Sequence, residues 1–263
     1  MDNGSLIGNL LTIGLVAYGI LGTGVDLSYY WDAPSLAIVL GGTVGCLFYA
    51  NKLETSKKIS TFFGLTFKGQ GDLEKANIDI IKKMIEFSER ARKEGLLALE
   101  DTLEEITDKF MRAGLQLVVD GTDSSIIRTT LYNEVTEVES RHEEGIALME
   151  TMGSMAPAFG MIGTLIGLIA MLANLSDSAG LASGMATALI TTMYGSMVAN
   201  MFAIPAGKKL AANHTGEMLT KQIVIEAVLS IQSGDNPRIL QQKLSGFLSP
   251  KGRVTLNSEV DSK

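Results

Sequence analysis

MGSMAPAFGMIGTLIGLIAMLAN (152–174), LSDSAGLAS (175–183) and GMATALITTMYGSMVANMFAIP (184–205) follow one another without a break, and Asp177 is the only formal charge among them. Uncharged runs of 26 residues (151–176) and 30 residues (178–207) flank it. A hydrocarbon core about 30 Å thick is crossed by roughly 20 helical residues. Each run is therefore long enough for one crossing, and Asp177 marks the turn. The competing reading is a hairpin buried in a large soluble protein. The flanking sequence holds no soluble domain large enough to enclose two such helices, so the membrane hairpin is preferred.

The whole chain, 263 residues, is 46% hydrophobic and 19% charged, with a positive mean hydropathy. Such a mixture implies segregation into apolar blocks in lipid and charged blocks in water. A net charge of −7 and the lack of any RNA- or DNA-binding motif argue against nucleic acid. The lone Cys46 excludes a disulfide framework and a cysteine metal site. His142 and His214 are far apart in polar sequence, so no permanently bound metal or cofactor is expected. With no P-loop and no nucleophile elbow either, the sequence does not describe an enzyme.

Residues 3–25 are also uncharged. No basic residue precedes them, as a signal peptide would require, so they read as a first retained span. The turn DLSYYWD (26–32) carries Tyr29, Tyr30 and Trp31, suited to a membrane interface. APSLAIVLGGTVGCLFYAN (33–51) is a second span, in which the GxxxG pair Gly41 and Gly45 predicts close approach of another helix. All 22 Lys and Arg fall in 52–141 or 208–263. By the positive-inside rule those regions and both termini are cytoplasmic, with the two turns outside. The expectation is an all-α integral membrane protein: spans one and two in 1–51, a helical cytoplasmic segment in 52–150, spans three and four in 151–207, and cytoplasmic C-terminal helices and tail in 208–263.

In the middle segment, Asp72 is positioned to cap a helix running through Arg92, with Leu73, Ala76, Ile80, Met84, Phe87 and Ala91 on one side. Gly95 interrupts it. A second pattern, Leu96, Leu99, Leu103, Ile106 and Phe110, is broken near Gly114. After VDGTDS, Asp123 or Ser124 caps a long helix bearing Ile127, Leu131, Val135 and Val138. With no proline before Pro157, this helix is expected to continue into the third span. In the tail, one amphipathic helix covers about 209–232 and another follows Asn236-Pro237, proline being favoured at a first helical position. GRVTLNSEVDSK (252–263) reads as disordered.

The spans contain no acidic, basic or histidine residue, although cation carriers usually place a carboxylate there. The chain either moves no ions or receives the carboxylate from another subunit. Its hydroxyls offer a different chemistry. Thr164 lies seven residues after Pro157, near the same face. Gly184, Thr187, Ala188, Thr191 and Gly195 share one side of the fourth span, with Thr192 adjacent. Hydroxyl and carbonyl oxygens suit a hard, partly dehydrated cation such as Na⁺. The same threonines could equally hydrogen-bond to neighbouring helices or to their own backbone. Pro157 and Pro205, near the cytoplasmic ends of the hairpin, read as kinks or as hinges.

Taken together, ARKEGLLALE (91–100), LVVDGTDSSIIRTTL (117–131), ESRH (139–142), APAFGMIGTLIGL (156–168), ALITTMYGSMVANMFAIP (188–205) and SGDNPR (233–238) resemble the MotA/PomA family, the ion-channel subunit of the bacterial flagellar stator, over nearly the whole chain. The resemblance implies a pentameric ring in the bacterial inner membrane around a MotB/PomB-type single-span partner that supplies the ion-binding Asp. It also implies torque on the rotor protein FliG. Arg92 and Glu100 match the family's rotor-facing charges, with Arg90, Lys93, Glu104 and Glu105 nearby. Pro157 and Pro205 match its two key prolines. Thr164, Thr191 and Thr192 resemble the sodium-driven members, which implies transport of Na⁺ rather than H⁺. The N-terminal span matches in little beyond length and glycine content.

The runner-up is an ExbB/TolQ-type energy-transducing subunit, which has three spans where residues 3–51 argue for four in total. A proton-driven MotA is a closer alternative. A membrane scaffold that conducts nothing is a further one, and would tolerate Ala at Thr164, Thr191 and Thr192.

Overall fold

The computed structural model describes residues 3–69 and 71–260; the extreme ends of the first-span block (1–2) and of the tail (261–263) lie outside it. The described residues are helical and include no strand. In chain order come α1 (Asn3–Gly22), α2 (Ala33–Leu36), α3 (Gly42–Ala50), α4 (Leu53–Ser56), α5 (Ile59–Leu65), α6 (Leu73–Glu94), α7 (Glu100–Leu103) and α8 (Lys109–Val119). Then follow α9 (Ser124–Ala173), α10 (Ser178–Met197), α11 (Ile204–Gln232), α12 (Pro237–Ser245) and α13 (Pro250–Val260). Ala37–Gly41 and Val198–Ala203 are π-helical turns that join α2 to α3 and α10 to α11. Four helical stretches are long and apolar enough to cross a membrane, the third and fourth lying within Ser124–Ala173 and Ser178–Gln232.

The chain divides into two compact units. The first comprises 1–69 and 142–212 and holds the apolar hairpin. Its α1 buries almost nothing: Leu10 is 68% and Tyr18 77% exposed. A helix apolar all round that the rest of its chain covers so sparsely belongs in lipid or against other chains. Leu47, Leu148, Met149 and Ala206 form a small core, with Phe62 and Phe63 of α5 against it. Phe62 lies against Gly145, where a Cβ would stand 2.8 Å from its ring. Gly42, rather than Gly41 or Gly45, is where a helix comes close. The ring of Phe159 fills the space a Gly42 side chain would need, whereas nothing lies within 4 Å of Gly41 or Gly45. The GxxxG pair points away from the rest of its own chain.

The second unit, 70–141 and 213–263, has a conventional apolar core that includes Ile81, Met84, Leu99, Leu115, Ile127, Leu131, Ile223, Val228, Leu240 and Leu256. Asp72 caps α6 by accepting from the Lys75 N–H at 3.1 Å. The buried stripe of α6 is rotated from its expected position, onto Asn77, Ile78, Ile81, Met84, Ile85, Ser88 and Ala91, and Ala76 is exposed. Asn77 explains the phase, since its side-chain oxygen accepts from the Thr220 hydroxyl at 2.7 Å. A buried polar residue with a partner cannot be seen by counting apolar positions.

Gly95 (φ +90°) and Gly121 (φ +69°) stop α6 and α8 in conformations that side chains resist. Gly114 does not break a helix. It is buried inside α8, where Val228 and Leu131 pack on it, and the break falls at 104–108, ended by the Asp108 cap. As expected, α9 runs unbroken through Pro157 for 50 residues.

SGDNPR forms a compact turn. Gly234 has φ +70°, Asn236 caps α12 with Pro237 in its first turn, and Asp235 pairs with Lys243 at 2.9 Å. The lysine holds the Asp235 carboxyl below its usual pKa. Residues 252–260 are helical, not disordered, because Leu256 is fully buried. One fully buried leucine, with Val260 packed partly against the same core, in a mostly polar stretch leaves too weak a pattern to read.

Candidate functional site

Small residues bring α9 and α10 together almost backbone to backbone. A Cβ on Gly167 would lie 2.6 Å from the Gly184 carbonyl oxygen and 2.7 Å from the Ala188 nitrogen; one on Gly195 would lie 2.6 Å from the Ala156 oxygen. Gly163 receives the Thr191 side chain and Gly160 the Thr191 backbone. Helices in lipid gain nothing from hiding apolar surface, so close packing of this kind is what holds them together.

Three threonine hydroxyls converge on one carbonyl at this crossing. Thr164, Thr191 and Thr192 each lie 3.1 Å from the Ala188 oxygen. A carbonyl offers two lone pairs, so it cannot satisfy three donors fully. Thr191 has a shorter alternative, the Thr187 carbonyl at 2.8 Å. It is completely buried, and its hydroxyl serves its own helix. Thr164 has a second acceptor in the Gly160 carbonyl at 3.1 Å, and its hydroxyl is bonded directly to that of Thr192. Thr164 is half-buried and Thr192 exposed on the surface of this chain. Of the four hydroxyls expected at an ion path, the structure joins Thr164 to Thr192, turns Thr191 inward and leaves Thr187 half-buried on the same face. A paired hydroxyl couple beside a carbonyl can rotate its protons away and present oxygen lone pairs to a cation.

Gly153, one turn before Pro157, packs against Ile204, the residue before Pro205. Pro157 lacks an N–H, which leaves the Gly153 carbonyl without its usual helical donor. A Cβ on Gly153 would lie 2.9 Å from Cγ1 of Ile204, the residue beside Pro205. Pro205 follows directly on the π-turn Val198–Ala203 and Ile204. The wider π-turn moves carbonyls clear of the proline ring, so the helix continues where a regular turn would clash. Both prolines are exposed.

The charged residues matched to rotor contact are not equivalent. Arg90 pairs with Glu94 at 3.4 Å and Lys93 with Glu89 at 3.7 Å, both within α6. Arg92 and Glu100 are exposed, and neither has an ion-pair partner among the described residues. The side chains of Glu104 and Glu105 are exposed as well.

Two features escaped the sequence reading. The glycine ladder on α9 was legible as small residues at 160, 163 and 167, which face Gly195, Thr191, and Gly184 with Ala188, respectively. Tyr194 had no sequence signal. Its hydroxyl donates to the Tyr30 carbonyl and accepts from the Asp32 N–H at 3.3 Å, which ties the turn between the first two spans to α10. Asp32 in turn caps α2 through the Ser35 N–H at 3.0 Å.

Comparison with known proteins gives a consistent result. Residues 102–223 match the model of the MotA/TolQ/ExbB proton channel family, and 6–95 match that of the motility protein A N-terminal region. Motility protein A of Borreliella burgdorferi is 46% identical over 260 residues, covering 99% of both chains. Chemotaxis protein PomA of Vibrio alginolyticus is 36% identical over 97% of this chain and 98% of its own. The flagellar MotAB stator complex from Bacillus subtilis contains a chain that superposes with a TM-score of 0.86 at 32% identity, over 97% of this chain and 99% of that one.

Proposed function

The chain belongs to the MotA/TolQ/ExbB family as a MotA-type flagellar stator subunit, and from that premise we propose that it carries Na⁺ inward past Thr164 and Thr192 to drive rotation. The observation behind this reading is the joined hydroxyl pair beside the Ala188 carbonyl. Oxygen ligands of this kind replace part of a hard cation's water shell. Thr191 and Thr187 support the pair from the buried side of the same helix.

The family is one of channel proteins, not enzymes, and no cofactor enters this reading. A MotB/PomB-type partner contributes the carboxylate that the spans lack, seated inside a pentameric ring of this chain in the inner membrane. Both termini, the segment between the second and third spans and the tail face the cytoplasm. There Arg92 and Glu100 meet FliG, with Arg90, Lys93 and Glu104 shaping the local field. Pro157 and Pro205, linked through Gly153 and Ile204, relay ion binding to that segment. The domain boundaries near 51, 150 and 207 follow the same division between lipid and water.

The deciding experiment is single-motor rotation in a stator-less host that carries this chain and its partner, across external Na⁺ at constant pH and ionic strength. Saturable dependence on Na⁺ that persists with a protonophore, while the sodium gradient is held, is the expected result. Rotation that ignores Na⁺ and stops with the protonophore makes this a proton stator and the threonines packing groups.

A further inference from the structure

A cavity of about 660 Å³ lies in the first unit between α3, α5, α9 and the π-turn Val198–Ala203. That volume falls within the roughly 300–1,000 Å³ typical of small-ligand sites. Leu40, Phe48, Met152 and Phe202 line its apolar part, and Lys57 and Ser60 stand at its polar part. The lining is divided as an amphiphile is divided.

The charge around that polar end is unusual for this chain. Residues 52–68 contain Lys52, Lys57, Lys58 and Lys68 against one acid, Glu54, in a protein whose net charge is −7. They follow the second span directly and carry Phe62 and Phe63, which pack on the small core of the first unit. Four lysines flanking the short helices α4 and α5, just after a membrane span, form a site for anionic headgroups. Apolar walls in a membrane are filled by acyl chains rather than water, because water there would lack hydrogen-bond partners.

We propose that this cavity binds an anionic phospholipid, with an acyl chain among Phe48, Met152 and Phe202 and the headgroup phosphate at Lys57 and Lys58. A zwitterionic lipid places a cation beside the same lysines and gains less. The lipid wedges α5 against α3 and the π-turn. Ion transport neither requires nor supplies this site, so it stands apart from the Na⁺ reading.

Native mass spectrometry of the chain purified with its single-span partner, in neutral detergent with phosphatidylglycerol or phosphatidylcholine added, tests it. About one tightly held phosphatidylglycerol per copy is expected, with phosphatidylcholine retained far less. Lys57→Gln with Lys58→Gln should lower phosphatidylglycerol retention more than about tenfold. Ser60→Trp, at an exposed position on the cavity wall, should abolish it while the complex elutes unchanged. Equal retention of both lipids, or undiminished phosphatidylglycerol in the lysine variants, overturns the proposal. So does a cysteine at Phe48, in a Cys46→Ser background, that stays shielded from a maleimide in the delipidated complex, because a neighbouring copy then covers the cavity.

Discussion

The hydroxyl of Tyr194 donates to the backbone carbonyl of Tyr30, 164 residues earlier in the chain. The same hydroxyl accepts from the Asp32 N–H, so one side chain on α10 satisfies two backbone groups of the turn between the first two spans. Tyr194→Phe keeps the ring and removes only this bridge. It should lower the stability of the complex by about 1–3 kcal/mol, the usual consequence of leaving partly buried polar groups unpaired. Thermal unfolding in detergent measures the loss. Labelling of a cysteine placed at Trp31 should become faster as the turn loosens, and an unchanged labelling rate would count against the bridge.

Gly167 and Gly19 make opposite predictions for the same substitution. Backbone atoms of Gly184 and Ala188 crowd Gly167 from the facing helix, while nothing lies within 4 Å of Gly19. Backbone cannot rotate aside, so Gly167→Ala must push α9 and α10 apart and cost about 1–3 kcal/mol. Gly19→Ala should be neutral or slightly stabilising, since alanine favours helix. The amount of folded chain in the membrane compares the two directly.

Thr164 and Thr192 should behave as one group. If their joined hydroxyls face the ion, Thr164→Ala and Thr192→Ala each raise the Na⁺ concentration for half-maximal rotation, and the double variant adds little to either. Thr191→Val, which keeps the shape packed against Gly163 and removes a hydroxyl bonded within its own helix, should shift that concentration much less. A double-mutant cycle on rotation speed separates coupled from independent effects.

Asp235 supplies a pH-sensitive contact in the second unit. Its carboxyl is held below the usual value by hydrogen bonding to Lys243. A lowered folded-state pKa contributes stability above the unfolded value, near 3.9, and that contribution disappears as pH falls through the folded value. Asp235→Asn should therefore destabilise modestly at pH 7, by about 0.5 kcal/mol for a largely solvated pair, and match the wild type in strong acid. Unfolding midpoints at pH 7 and below pH 3 read the difference.

Leu256→Ala tests whether the last helix belongs to the fold. The side chain is wholly buried, so its loss should cost about 2–3 kcal/mol, whereas Val254→Ala, at a 70% exposed position, should cost little. Protease sensitivity of residues 250–260 distinguishes the two variants.

The sequence by itself determined the four apolar spans, the unbroken run through Pro157, the cap at Asp72 and the helix start at Pro237. These follow from local rules: an uncharged run needs a membrane, a short polar side chain ends a helix, and helical phase places Gly184, Ala188, Thr191 and Gly195 on one face. Only the tertiary structure decided which partners meet across long separations. Thr191 and Thr192 are neighbours of the same type that helical phase turns about 100° apart, but only the packing of α9 makes one meet the glycine ladder at Gly163 and the other meet Thr164. Gly42 rather than Gly41 receives an aromatic ring, Asn77 sets the phase of α6 through Thr220, and Leu256 orders a polar tail. Each outcome depends on a contact whose second member lies elsewhere in the chain, so helical period and composition at the first member carry no record of it.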